Sequence, residues 1–304
     1  MRQSLSIDID YPIEVSGARK RFGAVAALDG LDLRVRRGEV HGFLGPNGAG
    51  KSTTIRALLG QIRLSGGRAT VYGADPWRYA PSIHEHVAYV PGDTVLWPNL
   101  TGGECIDLIS RLQGSPDARR RAELVERFDL DPRRRAGTYS KGNRQKVALI
   151  SVLATQASLL ILDEPTSGLD PVMERQFIHT VKELVGEGRT VLLSSHLMSE
   201  IDALCDRVTI IRGGRTVITA AIPALRAQAR VAIQATFPQP LSPGVLPEGA
   251  TATFEDGLHT VSLSVARSAV TDTVAVLTAN QPRDLTVAPA TFDELFWQHY
   301  DGGT

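Results

Sequence analysis

The chain has 304 residues, of which 42% are hydrophobic and 22% charged, an ordinary composition for a globular protein with a substantial core. Its 33 basic residues balance 33 acidic ones, which argues against bulk electrostatic binding to nucleic acid or to anionic lipid. The two cysteines, Cys105 and Cys205, form no metal-binding or redox motif and indicate a reducing compartment. The amino end lacks the apolar core of a signal peptide and no apolar run approaches a membrane span, so we expect a cytoplasmic protein.

In chain order, the predicted elements alternate between short apolar strands and amphipathic helices. The first strands are predicted at residues 31–35, 40–44, 69–72 and 87–90, with a helix at 53–59. Helix signals then dominate, including a capping box formed by Thr101 and Glu104, and they predict a helical insertion at about 93–156. Further strands are predicted at 159–162 and 190–194, helices at 171–187 and 197–204, and a hairpin at 208–219. This alternation predicts a parallel α/β sheet.

A separate carboxyl-terminal part contains a Pro-rich stretch at 238–247. Its predicted strands are at 231–237 and 285–288, with a hairpin around Asp256-Gly257 and helices at 270–279 and 291–300. We therefore expect two domains, a main domain at 1–225 and a small α+β domain at 226–304.

Residues 45–53 match the phosphate-loop pattern G-x-x-x-x-G-K-[ST] and read Gly45, Pro46, Asn47, Gly48, Ala49, Gly50, Lys51, Ser52 and Thr53. A predicted strand precedes the loop and a predicted helix follows it, which is the context that the motif needs. Its backbone N–H groups would form an anion nest at the start of the helix. Lys51 would lie between the β- and γ-phosphates, and Ser52 would ligate Mg²⁺. A Gly-rich turn with a solvated lysine is the alternative, which the rest of the chain disfavours.

Two consecutive acids follow the most apolar predicted strand. Asp163 has the chemistry to hold Mg²⁺, and Glu164 the chemistry to polarise a water aimed at the γ-phosphate. A plain strand end leading into a capped helix is the alternative interpretation, which the phosphate loop disfavours. His196 follows the next strand, at the sheet edge where ligands bind in such folds, although a structural histidine would also fit there.

Together these motifs make the sequence resemble the ATP-binding subunit of ABC transporters over about residues 13–220. In that family an aromatic residue stacks on adenine, a signature segment opens a helix, and a metal-site acid, a catalytic carboxylate, an interface aspartate and a switch histidine follow. The resemblance assigns the adenine contact to Phe22 and the signature to the segment 139–146 with Ser140 and Gly142. It assigns the metal site to Asp163, the catalytic carboxylate to Glu164, the interface aspartate to Asp170 and the switch histidine to His196. It implies a P-loop nucleotide-binding domain with a helical subdomain.

The resemblance also implies partners. Two copies would form a head-to-tail homodimer around two ATP molecules, each site combining the phosphate loop of one copy with residues 140–143 of the other. Mg²⁺ would bind at Ser52 and Asp163, and Lys51 would act in catalysis with Glu164 and His196. The dimer would drive separately encoded integral-membrane permease subunits, so the chain would lie peripherally on the cytoplasmic face of the membrane. No nucleic-acid partner is expected.

The sequence departs from the family pattern at two places. Lys141 and Asn143 replace a glycine and a glutamine of the signature. Gly92 stands where the family has a glutamine, and glycine has no side chain with which to ligate Mg²⁺. We hypothesise that the neighbouring Asp93 supplies the missing oxygen.

The chain is similar to one subgroup, the bacterial drug and antibiotic exporters of the daunorubicin or tetronasin type. The similarity lies at Gly92, at the signature at 139–143 and at the segment 290–296. This similarity predicts an ATPase subunit for drug or antibiotic export. Export of a lipid, polysaccharide or ion is the alternative. A soluble ABC ATPase acting on ribosomes or DNA is disfavoured, because the chain has one compact cassette and no long coiled coil. Trp97 lies just before the helices of the insertion, where the family docks its permease, and is the predicted partner-facing anchor.

Overall fold

A computed structural model describes residues 5, 7–113, 116–228, 230–239, 251–255 and 258–289. The chain divides into two compact units between Ile222 and Pro223. The strands of the first unit are β1 Ile13–Phe22, β2 Val25–Val35, β3 Val40–Leu44, β4 Gly66–Val71, β5 Val87–Val90, β6 Leu159–Asp163, β7 Thr190–Ser195, β8 Arg207–Arg212 and β9 Arg215–Ala221. Its helices are α1 Lys51–Leu58, α2 Pro76–His84, α3 Gly102–Leu112, α4 Ala118–Arg127, α5 Lys141–Leu153, α6 Pro171–Gly186 and α7 Met198–Leu204.

A six-stranded sheet in the order β5-β6-β7-β3-β8-β9 forms the centre of the first unit. All its pairings are parallel except that of β8 with β9, which is the predicted closing hairpin. Every residue of β3, β6 and β7 is buried, as expected for parallel strands covered on both faces. The predicted parallel α/β sheet is therefore confirmed, and its three middle strands all end at the same edge.

An antiparallel sheet in the order β2-β1-β4 adjoins this centre. Its inward side chains share one hydrophobic core with α1 and with β3, including Ile13, Leu31, Phe43 and Ile55. The strand at β1 is not predicted from the sequence. Gly17 has φ 56°, and register shifts interrupt the pairing around it, so the alternation of apolar and polar residues is broken.

Helices α3, α4 and α5 follow β5 and form the helical insertion. The predicted capping box is confirmed: Thr101 Oγ1 accepts from Glu104 N at 3.2 Å, and Glu104 Oε2 accepts from Thr101 N at 2.7 Å. Ion pairs join α4 to α6, since Arg127 Nη1 lies 2.5 Å from Glu183 Oε2. The insertion is thus tied to the helix that follows β6.

The second unit contains α8, Ile222–Gln228, which begins at the boundary, and β10 Val231–Phe237, β11 Thr251–Glu255, β12 Leu258–Val265, α9 Val270–Ala279 and β13 Asp284–Pro289. Its strands form an antiparallel sheet in the order β11-β12-β10-β13. Alternate residues of β10 and β12 pack with Leu277 of α9 in a separate core. The predicted hairpin is confirmed, while the predicted helix at 291–300 lies outside the described residues.

Candidate active site

The loop at 45–53 joins β3 to α1 through backbone conformations and contacts that favour glycine. Gly48 and Gly50 have φ values of 81° and 112°, in the left-handed region. A Cβ on Gly45 would lie 2.6 Å from the carbonyl oxygen of Ile211, so a larger residue would displace the loop. α1 begins at Lys51, two residues earlier than predicted. The loop therefore presents the amino end of a helix at the edge of the central sheet.

Lys51 is buried, with 5% of its surface exposed. Its Nζ donates to the carbonyl oxygen of Gly45 at 2.6 Å and lies 3.7 Å from Glu164 Oε1. Burial lowers the pKa of Lys51, and the charges of Glu164 and Asp163 oppose that shift. The ammonium group is thus held between the phosphate loop and the acids at the end of β6.

The strand order explains why these acids meet the loop. β6 lies beside β7, and β7 beside β3, so their carboxyl ends are neighbours. Asp163 is buried opposite Ser194 in the register, and Ser194 Oγ donates to Asp163 Oδ1. Glu164 has φ 47°, an unusual conformation for a residue with a side chain, and its N donates to the Ser194 carbonyl oxygen at 3.0 Å.

His196 completes this cluster from the end of β7. Its Nδ1 lies 3.3 Å from Glu164 Oε1, the same oxygen that faces Lys51 Nζ. The structure therefore brings together Lys51, Glu164 and His196, which lie far apart in sequence. Ser52 and Thr53 occupy the first turn of α1, with Ser52 exposed. Phe22 ends β1 with its ring exposed and with Lys20 Nζ 5.0 Å from the ring centre.

The signature segment packs on the turn before α6 of its own chain. Ser140 is the N-cap of α5 and accepts from Asn143 N at 3.2 Å, so the helix begins at Lys141, inside the signature segment. A Cβ on Gly142 would lie 2.6 Å from the carbonyl oxygen of Gly168, which leaves room for glycine alone.

Asp170 is the N-cap of α6 and accepts from Met173 N at 3.0 Å and Val172 N at 2.9 Å. The hydrogen bond from Met173 N is the main cause that lowers the pKa of Asp170. Asp170 therefore fixes the direction in which α6 leaves the turn that contacts the signature segment.

Gly92 follows β5 and lies directly beside Asp163. A Cβ at Gly92 would lie 3.4 Å from the backbone oxygen of Asp163 and 3.6 Å from its carboxyl carbon. Asp93 is exposed, and among the residues that the structure describes no three acidic, histidine or cysteine side chains could hold a metal ion together. The hypothesis that Asp93 supplies a metal ligand gains no support from this arrangement.

Sequence reasoning did not identify Glu200, which borders a cavity of about 190 Å³ together with Glu164 and His196. Glu200 Oε2 accepts from Ser195 Oγ at 2.5 Å, and Ser195 Oγ accepts from Leu197 N at 2.9 Å, so the residues on both sides of His196 are held. Burial raises the pKa of Glu200, and nearby hydroxyl groups, first that of Ser195, oppose the shift. Glu200 follows His196 by four residues, and this spacing is the sequence signal that could have identified it.

A phosphate loop between a buried parallel strand and a helix, facing two acids on a nearby strand, defines the P-loop class of nucleoside-triphosphate-binding proteins. Residues 28–167 match the family described as ABC transporter. The chain is 42% identical over 224 residues to the daunorubicin resistance ATP-binding protein DrrA3 of Streptomyces coeruleorubidus, which covers 72% of this chain and 71% of that protein.

It is also 42% identical over 210 residues to the daunorubicin/doxorubicin resistance ATP-binding protein DrrA of Streptomyces peucetius, covering 67% of this chain and 64% of that protein. A solved structure of the ATP-binding subunit of an ABC transporter matches with a TM-score of 0.66 and 29% identity, over 70% of this chain and 91% of that one. The chain belongs to the ABC transporter family. It is an ATP-binding subunit that hydrolyses ATP, and the predicted fold and family are confirmed.

Among the residues that the structure describes, none of the helices has the length and apolar character required to cross a bilayer.

Proposed function

We propose that this chain supplies the energy for export of drugs or antibiotics through separately encoded permease subunits. The observation that carries this proposal is the 42% identity to daunorubicin resistance ATP-binding proteins. Those alignments cover 72% and 67% of this chain and leave part of each relative unmatched. The residues that form the site all lie within the first unit, and the family model matches residues 28–167 of that unit.

Lys51, Ser52 and Asp163 bind the phosphates and Mg²⁺ in this proposal. A serine hydroxyl and a buried carboxylate suit the hard Mg²⁺ ion, and Lys51 supports the negative charge of the phosphates. Since these protein oxygens are few, phosphate oxygens and water would be needed as further ligands. The ion, when bound, neutralises charge that develops on the transferred phosphoryl group.

Glu164 is the general base and His196 contacts the transition state. Glu164 Oε1 lies between Lys51 Nζ and His196 Nδ1, at 3.7 Å and 3.3 Å. This placement allows the carboxylate to accept a proton from an attacking water while the two nitrogens fix its orientation. The left-handed backbone of Glu164 favours one direction for this side chain, and such strain is frequent at active sites.

The active form in this proposal is a homodimer. Phe22 stacks on adenine, and Ser140, Gly142 and Asp170 complete the site of the partner copy. The amino end of α5, capped by Ser140, offers backbone N–H groups and a favourable dipole to a γ-phosphate across the interface. The second unit is an accessory domain, with a boundary near residue 225.

The permease contacts the surface that precedes and includes α3, and it holds the chain on the cytoplasmic face of the membrane. Val95 and Trp97 are exposed before α3, and Leu108 and Leu112 are exposed one turn apart on it. Cys105 Sγ lies 4.0 Å from the carbonyl oxygen of Trp97, so this loop runs beside the helix. Exposed apolar side chains, with Trp97 as anchor, suit a protein partner.

The proposal is tested by purifying the tagged chain from gently solubilised membranes and by measuring drug efflux. We expect a polytopic membrane protein to co-purify and cells to lose drug faster than cells without the chain. Recovery with ribosomes or nucleic acid, and with no membrane partner, would overturn the transporter role. Efflux of lipid or polysaccharide instead of drug would correct the substrate.

Glu164→Gln tests the catalytic role. This variant is expected to bind ATP and to lose turnover by about 10² to 10⁴-fold, the ordinary contribution of a general base. Glu123→Gln is the matched control, because Glu123 is exposed and pairs with Arg119 on the same helix, α4. Near-normal ATP hydrolysis by Glu164→Gln would refute the assignment.

A further inference from the structure

A buried glutamine joins the catalytic strand to the segment that leads to Trp97. Gln145 lies in the second turn of α5 and is 2% exposed. Its Nε2 donates to the carbonyl oxygen of Pro165 at 2.8 Å, and its Oε1 accepts from Thr94 Oγ1 at 2.9 Å. Pro165 directly follows Glu164, and Thr94 lies two residues after Gly92. One amide group therefore bonds to both segments.

The two bonds are mutually dependent because one planar amide makes both. A displacement of Pro165 that exceeds the tolerance of a hydrogen bond must either move the amide, and Thr94 with it, or break one of the two bonds. Breaking it leaves a buried polar group without a partner, which costs about 1–3 kcal/mol. Movement at the end of β6 therefore favours movement of the segment that begins at Gly92.

The link through Gln145 connects the same two segments that meet at Gly92, the position where the family has a glutamine. The Gly92 backbone lies against Asp163, yet it carries no side chain to follow a change in the metal shell. Gln145 and Thr94 provide an amide and a hydroxyl between the same two segments from another place in the sequence. The contacts of Gln145 thus connect the acids of the site with the surface around Trp97.

We propose that Gln145 is a positioning residue that transmits the nucleotide state of the Asp163–Glu164 strand end, through Thr94, to the segment carrying Trp97. The inference rests on the proposed function in that this segment is taken to face the permease. A merely structural glutamine would stabilise the fold equally with and without nucleotide. A transmitting glutamine makes the surroundings of Trp97 depend on nucleotide.

Trp97 is a suitable reporter because it is 47% exposed and close in sequence to Thr94. Replacing Trp77 and Trp297 by phenylalanine leaves Trp97 as the one tryptophan of the chain. The probe is a non-hydrolysable ATP analogue with Mg²⁺, its affinity is measured by calorimetry, and acrylamide quenching reports the exposure of Trp97. We expect the analogue to change the quenching.

Thr94→Val removes the hydroxyl at nearly constant shape and is expected to abolish this change while the affinity for the analogue stays the same. Thr94→Ser restores a hydroxyl and is expected to restore the change. Gln145→Leu should abolish it too, and the double variant with Thr94→Val should differ little from either single variant, because both remove one connection.

A wild-type chain whose Trp97 ignores the analogue, or a Thr94→Val variant that keeps the full change, would overturn the proposal. If Gln145→Leu fails to fold, the variants Thr94→Val and Thr94→Ser still test the proposal, since Thr94 is only partly buried. A chain that binds no permease but shows the Thr94-dependent change would refute the proposed function and leave the connection standing.

Discussion

Ser194→Ala tests how the site holds its metal. Ser194 is fully buried, and its hydroxyl donates to the Asp163 carboxylate, which we assign to Mg²⁺. A hydrogen bond to a charged group contributes about 1.5–3 kcal/mol, so the free energy of unfolding should fall by about that amount. Removing a group that orients a metal ligand typically weakens metal affinity by about 10–100-fold. The Mg²⁺ concentration at half-maximal ATPase activity should therefore rise within that range.

The assay is a Mg²⁺ titration of ATP hydrolysis at saturating ATP, with urea unfolding measured in parallel. Ser195→Ala is the matched control, because this adjacent serine bonds to Glu200 and not to Asp163. We expect the control to keep the Mg²⁺ midpoint and to lower kcat, since Ser195 holds the residues around His196. An unchanged midpoint in Ser194→Ala, or an equal rise in both variants, would refute the reasoning.

Two further predictions concern the signature segment and the buried acid. Gly142→Ala should suppress turnover but not nucleotide binding, because its methyl would meet the Gly168 carbonyl oxygen at 2.6 Å; Gly186→Ala, whose methyl meets nothing within 4 Å, is the control. Glu200→Gln should raise the free energy of unfolding at about pH 8 and should leave it unchanged below pH 4.5, the ordinary pKa of the carboxyl group. The pKa of Glu200 is raised in the folded state, so the wild type loses stability as the pH rises above 4.5. Urea unfolding at both pH values checks this, and a pH-independent difference would contradict it.

Local patterns account for most of what could be predicted about the site. The phosphate loop, its flanking strand and the acids at the end of β6 are each contained within a few consecutive residues. A general property of parallel sheets, that their carboxyl ends meet at one edge, was sufficient to place Glu164 and His196 together. The structure adds the distances, and it shows that one oxygen of Glu164 faces both Lys51 and His196.

Contacts between distant segments could not be predicted in this way. Gln145 bonds to residues 94 and 165, and nothing in the signature pattern indicates either partner. Helix α2 was missed because Pro81 lies inside it and Tyr79 has non-helical angles, so the sequence resembles a loop. Such features depend on the packing of the whole unit rather than on a local preference.

The site contains two unfavourable features, and a bound nucleotide would offset one of them, the burial of Lys51. Glu164 adopts left-handed backbone angles, at a cost of order 1–3 kcal/mol for a residue with a side chain, and hydrogen bonds to Ser194 and Ser167 hold it there. Lys51 keeps an ammonium group in a buried position, where desolvation lowers its pKa. Anionic phosphates would place negative charge beside the Lys51 ammonium group. The orientation of Glu164, in contrast, is already set before they arrive. In the proposed homodimer, the free energy of ATP binding can therefore be directed to closing the dimer rather than to organising the carboxylate that we propose as general base.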